Sequence, residues 1–311
     1  MMIRTALGLA FLWLMFVLGA RAQETGAVSR VPIVAPNMST PDSLSLNTLQ
    51  EPSVKWYDMF KNMPSDWARF GQMSVSTENI SLIIGLSAMT GALIATDDAT
   101  WKASDEWYQS SNTVREASDI GEWIGHGVPQ FGLAGAFAAY GLAAGDNRAL
   151  RTASQTTEAI LACGVVVQVL KHITGRESPI VSTRPGGAWR FFPNQIQYHK
   201  HVPSYDAYPS GHIATALATV TVIAENYPEA SWIRPVGYVL ITWLGVSMAN
   251  TGIHWYSDYP LGLALGYTFG MLAAHPESLS TSFSEGKQSP KLSVLPRLTP
   301  LGGGVQFAMF F

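Results

Sequence analysis

Tyr208-Pro209-Ser210-Gly211-His212 opens directly onto Ile213-Ala-Thr-Ala-Leu-Ala-Thr-Val-Thr-Val-Ile-Ala224, and that junction decides how the chain is read. A serine ahead of an unbroken apolar run predicts a helix start with Ser210 as its N-cap. The unpaired N–H groups of a first turn, with the positive end of the helix dipole, form a seat for an anion. Gly211 lets the backbone approach a ligand closely, and His212, whose ordinary pKa lies near neutrality, can give that ligand a proton. A plain helix cap followed by a half-exposed histidine writes the same residues, so the decision passes to partners elsewhere in the chain.

Outward from this helix, further apolar segments run near residues 81–96, 130–145, 152–170, 235–250 and 258–274. No strand-like alternation interrupts them, which predicts an all-α core of six helices. With 311 residues, 47% of them hydrophobic, the chain has ample material for a packed core. A net charge of −3, only 13% charged residues and no sustained Lys/Arg run exclude a basic field for nucleic acid. The single cysteine, Cys163, lies on an apolar helical pattern; it reads as a small buried hydrophobe and cannot close an internal disulfide.

At the start, Arg4, the apolar stretch Ala6 to Leu18 and Ala20-Arg21-Ala22 match a secretory signal peptide over residues 1–22. Residues 23–77 read as an arm with one or two short helices, 78–275 as the helical domain and 276–311 as a tail. In that tail Val305, Phe307, Met309 and Phe311 alternate, which predicts one short strand and no function. Several core segments run only about 15 or 16 residues, are rich in Gly and Ala, and one carries Glu158, whereas a membrane span wants about 20 apolar residues. A cleaved signal would also leave Lys171 facing the cytoplasm after three spans. These features favour an exported soluble or peripheral bundle. The loop from Lys171 to Lys200, with Arg176, Arg184 and Arg190, keeps integral membrane insertion open as the alternative.

Two more helix ends carry chemistry-bearing residues. The third apolar helix ends Lys171-His-Ile-Thr-Gly175-Arg176, with Gly175 as its stop, so Lys171 lies in the last turn. It either complements the helix dipole there or serves a ligand. His254-Trp-Tyr-Ser257-Asp258 precedes Pro260 and the last helix. A helical turn there would bring His254 within reach of Asp258, which would hold one ring nitrogen and free the other for attack; a cap beside an unrelated histidine is the bland alternative.

Lys171 to Pro179, Pro209 to His212 and Ser247 to Asp258 together resemble the three motifs of the type 2 phosphatidic acid phosphatase / vanadium haloperoxidase superfamily: K-x6-R-P, P-S-G-H and S-R-x5-H-x3-D. The likeness covers roughly residues 78 to 275 and departs at two positions, where Ser178 and Met248 replace the motif arginines. It implies a six-helix bundle of that superfamily's type and an exported, metal-independent phosphoric ester hydrolase acting on a phosphomonoester or lipid (pyro)phosphate. His254 would attack phosphorus, Asp258 would orient it, and His212 would protonate the leaving alkoxide and then activate water. Lys171, Ser210 and Gly211 would hold the equatorial oxygens, with Arg176 as substitute for a missing arginine, whose loss typically costs about 2.7 to 4 kcal/mol in the transition state. Arg184 and Arg190 are further substitutes. No cofactor is implied, vanadate entering only as an inhibitor or transition-state mimic, and no protein partner. The alternatives are a degenerate member that binds phosphate or lipid headgroups without turnover and, less favoured, a vanadium haloperoxidase. The insert Ile180–Tyr208, rich in aromatic and imidazole rings, reads equally as a lid for an apolar substrate and as a loop packed over helix ends.

Overall fold

The computed structural model describes Lys55, residues 57–276, and the backbone of residues 291–299 and 302–310. The expected signal peptide and the first part of the arm lie outside these residues. Ten α-helices are described: α1 Asp58–Val75, α2 Ile80–Ile94, α3 Asp97–Tyr108, α4 Asn112–Ile124, α5 Gly127–Ala144, α6 Asn147–Thr174, α7 Gln195–Lys200, α8 Gly211–Asn226, α9 Ile233–Asn250 and α10 Tyr259–Ala274. The six expected helices are α2, α5, α6, α8, α9 and α10, and the architecture is an all-α bundle.

α8 is its axis. One face buries Ile213 and Leu217 against Leu244 and Met248 of α9 and against Tyr259 and Leu263 of α10. Another face sets Ala214 against Cys163 and Val167 of α6 and Leu265 and Phe269 of α10. The approach to α10 is close because glycine recurs every fourth residue there: Cβ atoms at Gly262 and Gly266 would lie 2.7 Å from the Ser210 carbonyl oxygen and 2.2 Å from that of Ala214. The starts of α8 and α10 are thereby held side by side.

α6 is bounded by its own residues. Asp146 accepts N–H bonds from Arg148 and Ala149 at the first turn. Gly175 ends the helix in the left-handed region (φ 53°), where a Cβ would collide with the Arg190 carbonyl oxygen at 2.1 Å.

Three expectations are revised. The later part of the arm is the 18-residue helix α1, bonded into the bundle through Trp67 Nε1–H to the Ala162 carbonyl (3.1 Å) and the Phe70–Phe269 ring contact. Its apolar residues need a partner, and α6 and α10 supply one. The tail holds two antiparallel strands, β1 Lys291–Thr299 and β2 Gly302–Phe310. β1 escaped notice because Pro296 and Arg297 break its alternation. The leaning toward a soluble bundle meets contrary observations: Thr77–Ile94 and Asn147–Thr174 are each long and apolar enough to cross a membrane, the first with Thr90 as its one buried residue. Ile84, Val128, Leu142, Val165 and Val239 all lie exposed. Counting apolar residues per segment hid this, because spans are extended by flanking residues that are small rather than strongly apolar.

Candidate functional site

The start of α8, the end of α6 and the loop between α9 and α10 meet at one end of the bundle. Ser210 caps α8 as expected, its Oγ accepting the Ile213 N–H at 3.4 Å, and its own N–H donates to the Asp258 carbonyl at 3.0 Å. Its hydroxyl is fully buried in that task. Thr174 Oγ1 donates to the Tyr208 carbonyl at 2.8 Å and ties the end of α6 to the same turn. Glycine at 211 leaves room for Lys171: a Cβ there would stand 3.9 Å from Nζ and 3.3 Å from a methyl of Val167.

His212 and His254 face one another, Nδ1 of His212 lying 3.2 Å from Nε2 of His254. Nδ1 of His254 lies 2.8 Å from the carbonyl oxygen of Ala207. A carbonyl only accepts, so that nitrogen carries the proton; Nε2 of the neutral ring then holds the lone pair, and His212 Nδ1–H donates to it. Burial, reinforced by the positive charge of Lys171, lowers the His254 pKa to about 3. The ring is therefore a neutral base near pH 7.

Asp258 is close to His254 but is not its main partner, since Oδ2 stands 3.5 Å from Nδ1. Oδ2 accepts the Trp255 N–H at 2.7 Å, and Oδ1 accepts from Arg176 at 2.6 Å. Asp258 thus fixes the loop that carries His254, while Ala207 selects the tautomer. Burial raises Asp258 to about 6 against the pull of Arg176.

Arg176 is placed differently from its expected role. One terminal nitrogen donates to Ser257 and Asp258 and the other to Asp97 (2.6 Å) and the Gly186 carbonyl (2.8 Å), with the guanidinium lying over the rings of Trp189 and Trp255. A cation closed between two buried carboxylates is spent on them, and the group is linked to the His254 loop through Ser257 and Asp258. Arg190 is bonded to Glu177 at 2.5 Å, and Arg184 lines a separate hollow with Asp98 and Trp189. Ser178 is buried in the turn after α6. Met248 packs beside the site: a Cβ on Gly125 would lie 3.1 Å from Met248 Cε and 3.2 Å from His212 Cβ. Ser247 faces α4, where a Cβ on Gly121 would meet its Oγ at 2.1 Å.

Lys171, buried at the end of α6, pairs with Asp206 at 3.1 Å. Both line a groove of about 940 Å³ that runs from His212 and Gly211 between α5 and α6 past Phe131, Val165 and Val169. Those last three are exposed, so the groove opens on the apolar flank of the bundle. The insert is split in use. Trp189 packs inward over Arg176 with Tyr208 against it, while Phe191 and Phe192 stay exposed, Phe192 lining the groove mouth.

Asp97, Asp206 and Ala207 were missed from sequence. Asp206 carried a signal, being the only acidic residue between Glu177 and Glu225. Asp97 and the Ala207 carbonyl carried none, because their roles follow from tertiary placement.

Residues 154–278 match the family model of the PAP2 superfamily. Over those residues the chain is similar to that superfamily. Among named proteins it resembles the lipid A 1-phosphatase of Porphyromonas gingivalis, 38% identical over 68 residues, which are 22% of this chain and 15% of the relative. It also resembles the lipid A 1-phosphatase of Rhizobium etli, 30% identical over 111 residues, 36% of this chain and 44% of the relative. The chain spans less than half the length of each. Among solved structures it resembles the transmembrane PAP2 type phosphatidylglycerolphosphate phosphatase from Bacillus subtilis, with a TM-score of 0.44 and 17% identity over 64% of this chain and 94% of that one.

Proposed function

We propose that this protein is an exported, lipid-embedded phosphatase that removes a phosphomonoester from an amphiphile by way of a phosphohistidine at His254. The observation that carries the reading is the bonded pair of imidazoles: the Ala207 carbonyl fixes the proton on Nδ1 of His254, and the lone pair on Nε2 is directed at the space beside His212. A phosphoryl group entering between the rings replaces their mutual hydrogen bond. Nε2 then forms the N–P bond as the P–O bond to the alcohol breaks; His212, held as the imidazolium by the entering phosphate dianion, gives the departing oxygen its proton and is left neutral. Water attacks phosphorus in the second step, returns a proton to His212, and breaks the N–P bond to release inorganic phosphate. Lys171 and the N–H groups at the start of α8, held in place by the Ser210 cap, stabilise the equatorial oxygens. The apolar groove gives the alkyl part somewhere to lie, and the lipid phosphatases among the relatives support a lipid substrate.

A second reading rests on the seat's poverty in cations. Ser178 and Met248 stand at the arginine positions, Arg176 is engaged elsewhere, and Lys171 is paired with Asp206. On this reading the site binds a phosphorylated headgroup without turnover. Incubating the purified full chain in detergent with dodecyl phosphate separates the two. Phosphate release that disappears in His254→Ala supports the enzyme; saturable binding with no phosphate released by the wild type supports the binder.

A further inference from the structure

We propose that Asp206 is a specificity-determining residue that selects phosphorylated amphiphiles bearing a hydrogen-bond donor, a hydroxyl or an amide N–H, on the carbon next to the phosphoester. The inference rests on the phosphatase reading for its site and goes beyond it in the substrate it names.

The charge count at the seat is unusual for a site that takes a phosphate dianion. Lys171 is the cation nearest the two imidazoles, and Asp206 Oδ2 already neutralises it at 3.1 Å. Asp206 is fixed by its backbone, which bridges that of Arg176, while Ala207 next to it donates its N–H to the Arg176 carbonyl at 3.0 Å. Its side chain stays a quarter exposed and lines the groove together with His212 and Thr215. No hydrogen bond to Oδ1 is found among the described residues.

A bare alkyl phosphate placed between His212 and His254 puts its charge near this carboxylate, and Lys171, shared between the two anions, offsets only part of the repulsion. The in-line geometry aims the leaving oxygen away from His254 Nε2, toward the groove, so the first carbons of the alcohol pass the lysine–aspartate pair. A donor on the adjacent carbon satisfies the open carboxylate oxygen and turns a repulsive wall into a charged hydrogen bond. Such bonds discriminate because the analogue without the donor leaves the acceptor without its partner in the groove.

The test compares two phosphomonoesters with the same dodecyl tail, one with an acylamino group on the carbon beside C–O–P and one with hydrogen there. Both hydrolysis and binding are measured for the full chain in detergent, using wild type, Asp206→Asn and Asp206→Ala. Wild type is expected to favour the acylamino compound about ten- to hundredfold in kcat/KM and in Kd. Asp206→Ala is expected to lose that preference by weakening on the acylamino compound and tightening on the plain one. Asp206→Asn, which keeps an acceptor without the charge, should retain part of the preference. Inhibition by inorganic phosphate should strengthen in both variants as the repulsion is lifted. An equal preference in wild type and Asp206→Ala overturns the proposal. If wild type hydrolyses neither compound, the phosphatase reading fails separately, and the two Kd ratios still decide the role of Asp206.

Discussion

His254 keeps its lone pair on Nε2 because its other nitrogen is spent on a backbone carbonyl at 2.8 Å, and it stays neutral because burial lowers its pKa to about 3. Its own protonation therefore sets no limb in a pH profile near neutrality. Asp258, raised by burial to about 6, does. As pH falls through that value Asp258 takes a proton and loosens its hold on Arg176, so kcat/KM is expected to drop on the acid side with a midpoint near 6. The residual activity of Asp258→Asn should lack that limb; an unchanged limb in the variant would assign it to another group. The sequence supplied His254, Asp258, His212 and Lys171 as one constellation, because helix caps and stops leave readable marks. It misassigned two roles. The 254/258 spacing suggested a direct His–Asp bond, and Arg176 near the missing arginine suggested a phosphate ligand. Both errors have one cause: hydrogen-bond partners far apart in sequence, Asp97 and the Ala207 carbonyl, took the bonds that local spacing had allotted nearby.

α8 carries His212 at its first turn, and its pitch against α10 is set where glycines meet carbonyl oxygens. Gly266→Ala would place a Cβ 2.2 Å from the Ala214 carbonyl oxygen, a contact only a backbone shift can relieve. The expected cost is about 1 to 3 kcal/mol of stability, with a lower melting temperature in detergent and a fall in kcat as the α8 start moves from the 254 loop. A melting temperature and kcat equal to wild type would show that the close approach does not position the site. The six apolar helices were legible by their unbroken runs. The helices α3 and α4 were not, because they mix charged and aromatic residues and owe their burial to the bundle they join; α1 was expected only as one or two short helices in the arm.

Across the whole molecule, one flank is apolar and exposed, and the groove from the imidazole pair opens onto it. Side chains such as Ile84, Leu142 and Val239 lie exposed to water, whereas in lipid their exposure costs nothing. The chain is expected to stay with membranes through an alkaline carbonate wash and to leave only with detergent; release by carbonate alone would restore the peripheral bundle. Residue-by-residue composition could not decide this, since exposure of an apolar helix is a property of its neighbours. The central claim is covalent, that His254 accepts the phosphoryl group, and acid-independent leaving groups give direct access to it. His212→Asn treated with a labelled aryl phosphate, whose leaving group needs no proton, and quenched in alkali is expected to carry one phosphoryl group on the peptide containing His254, stable to base and lost in acid. Phosphate release with the label on another residue, or with no labelled protein in either wild type or His212→Asn, would contradict the account.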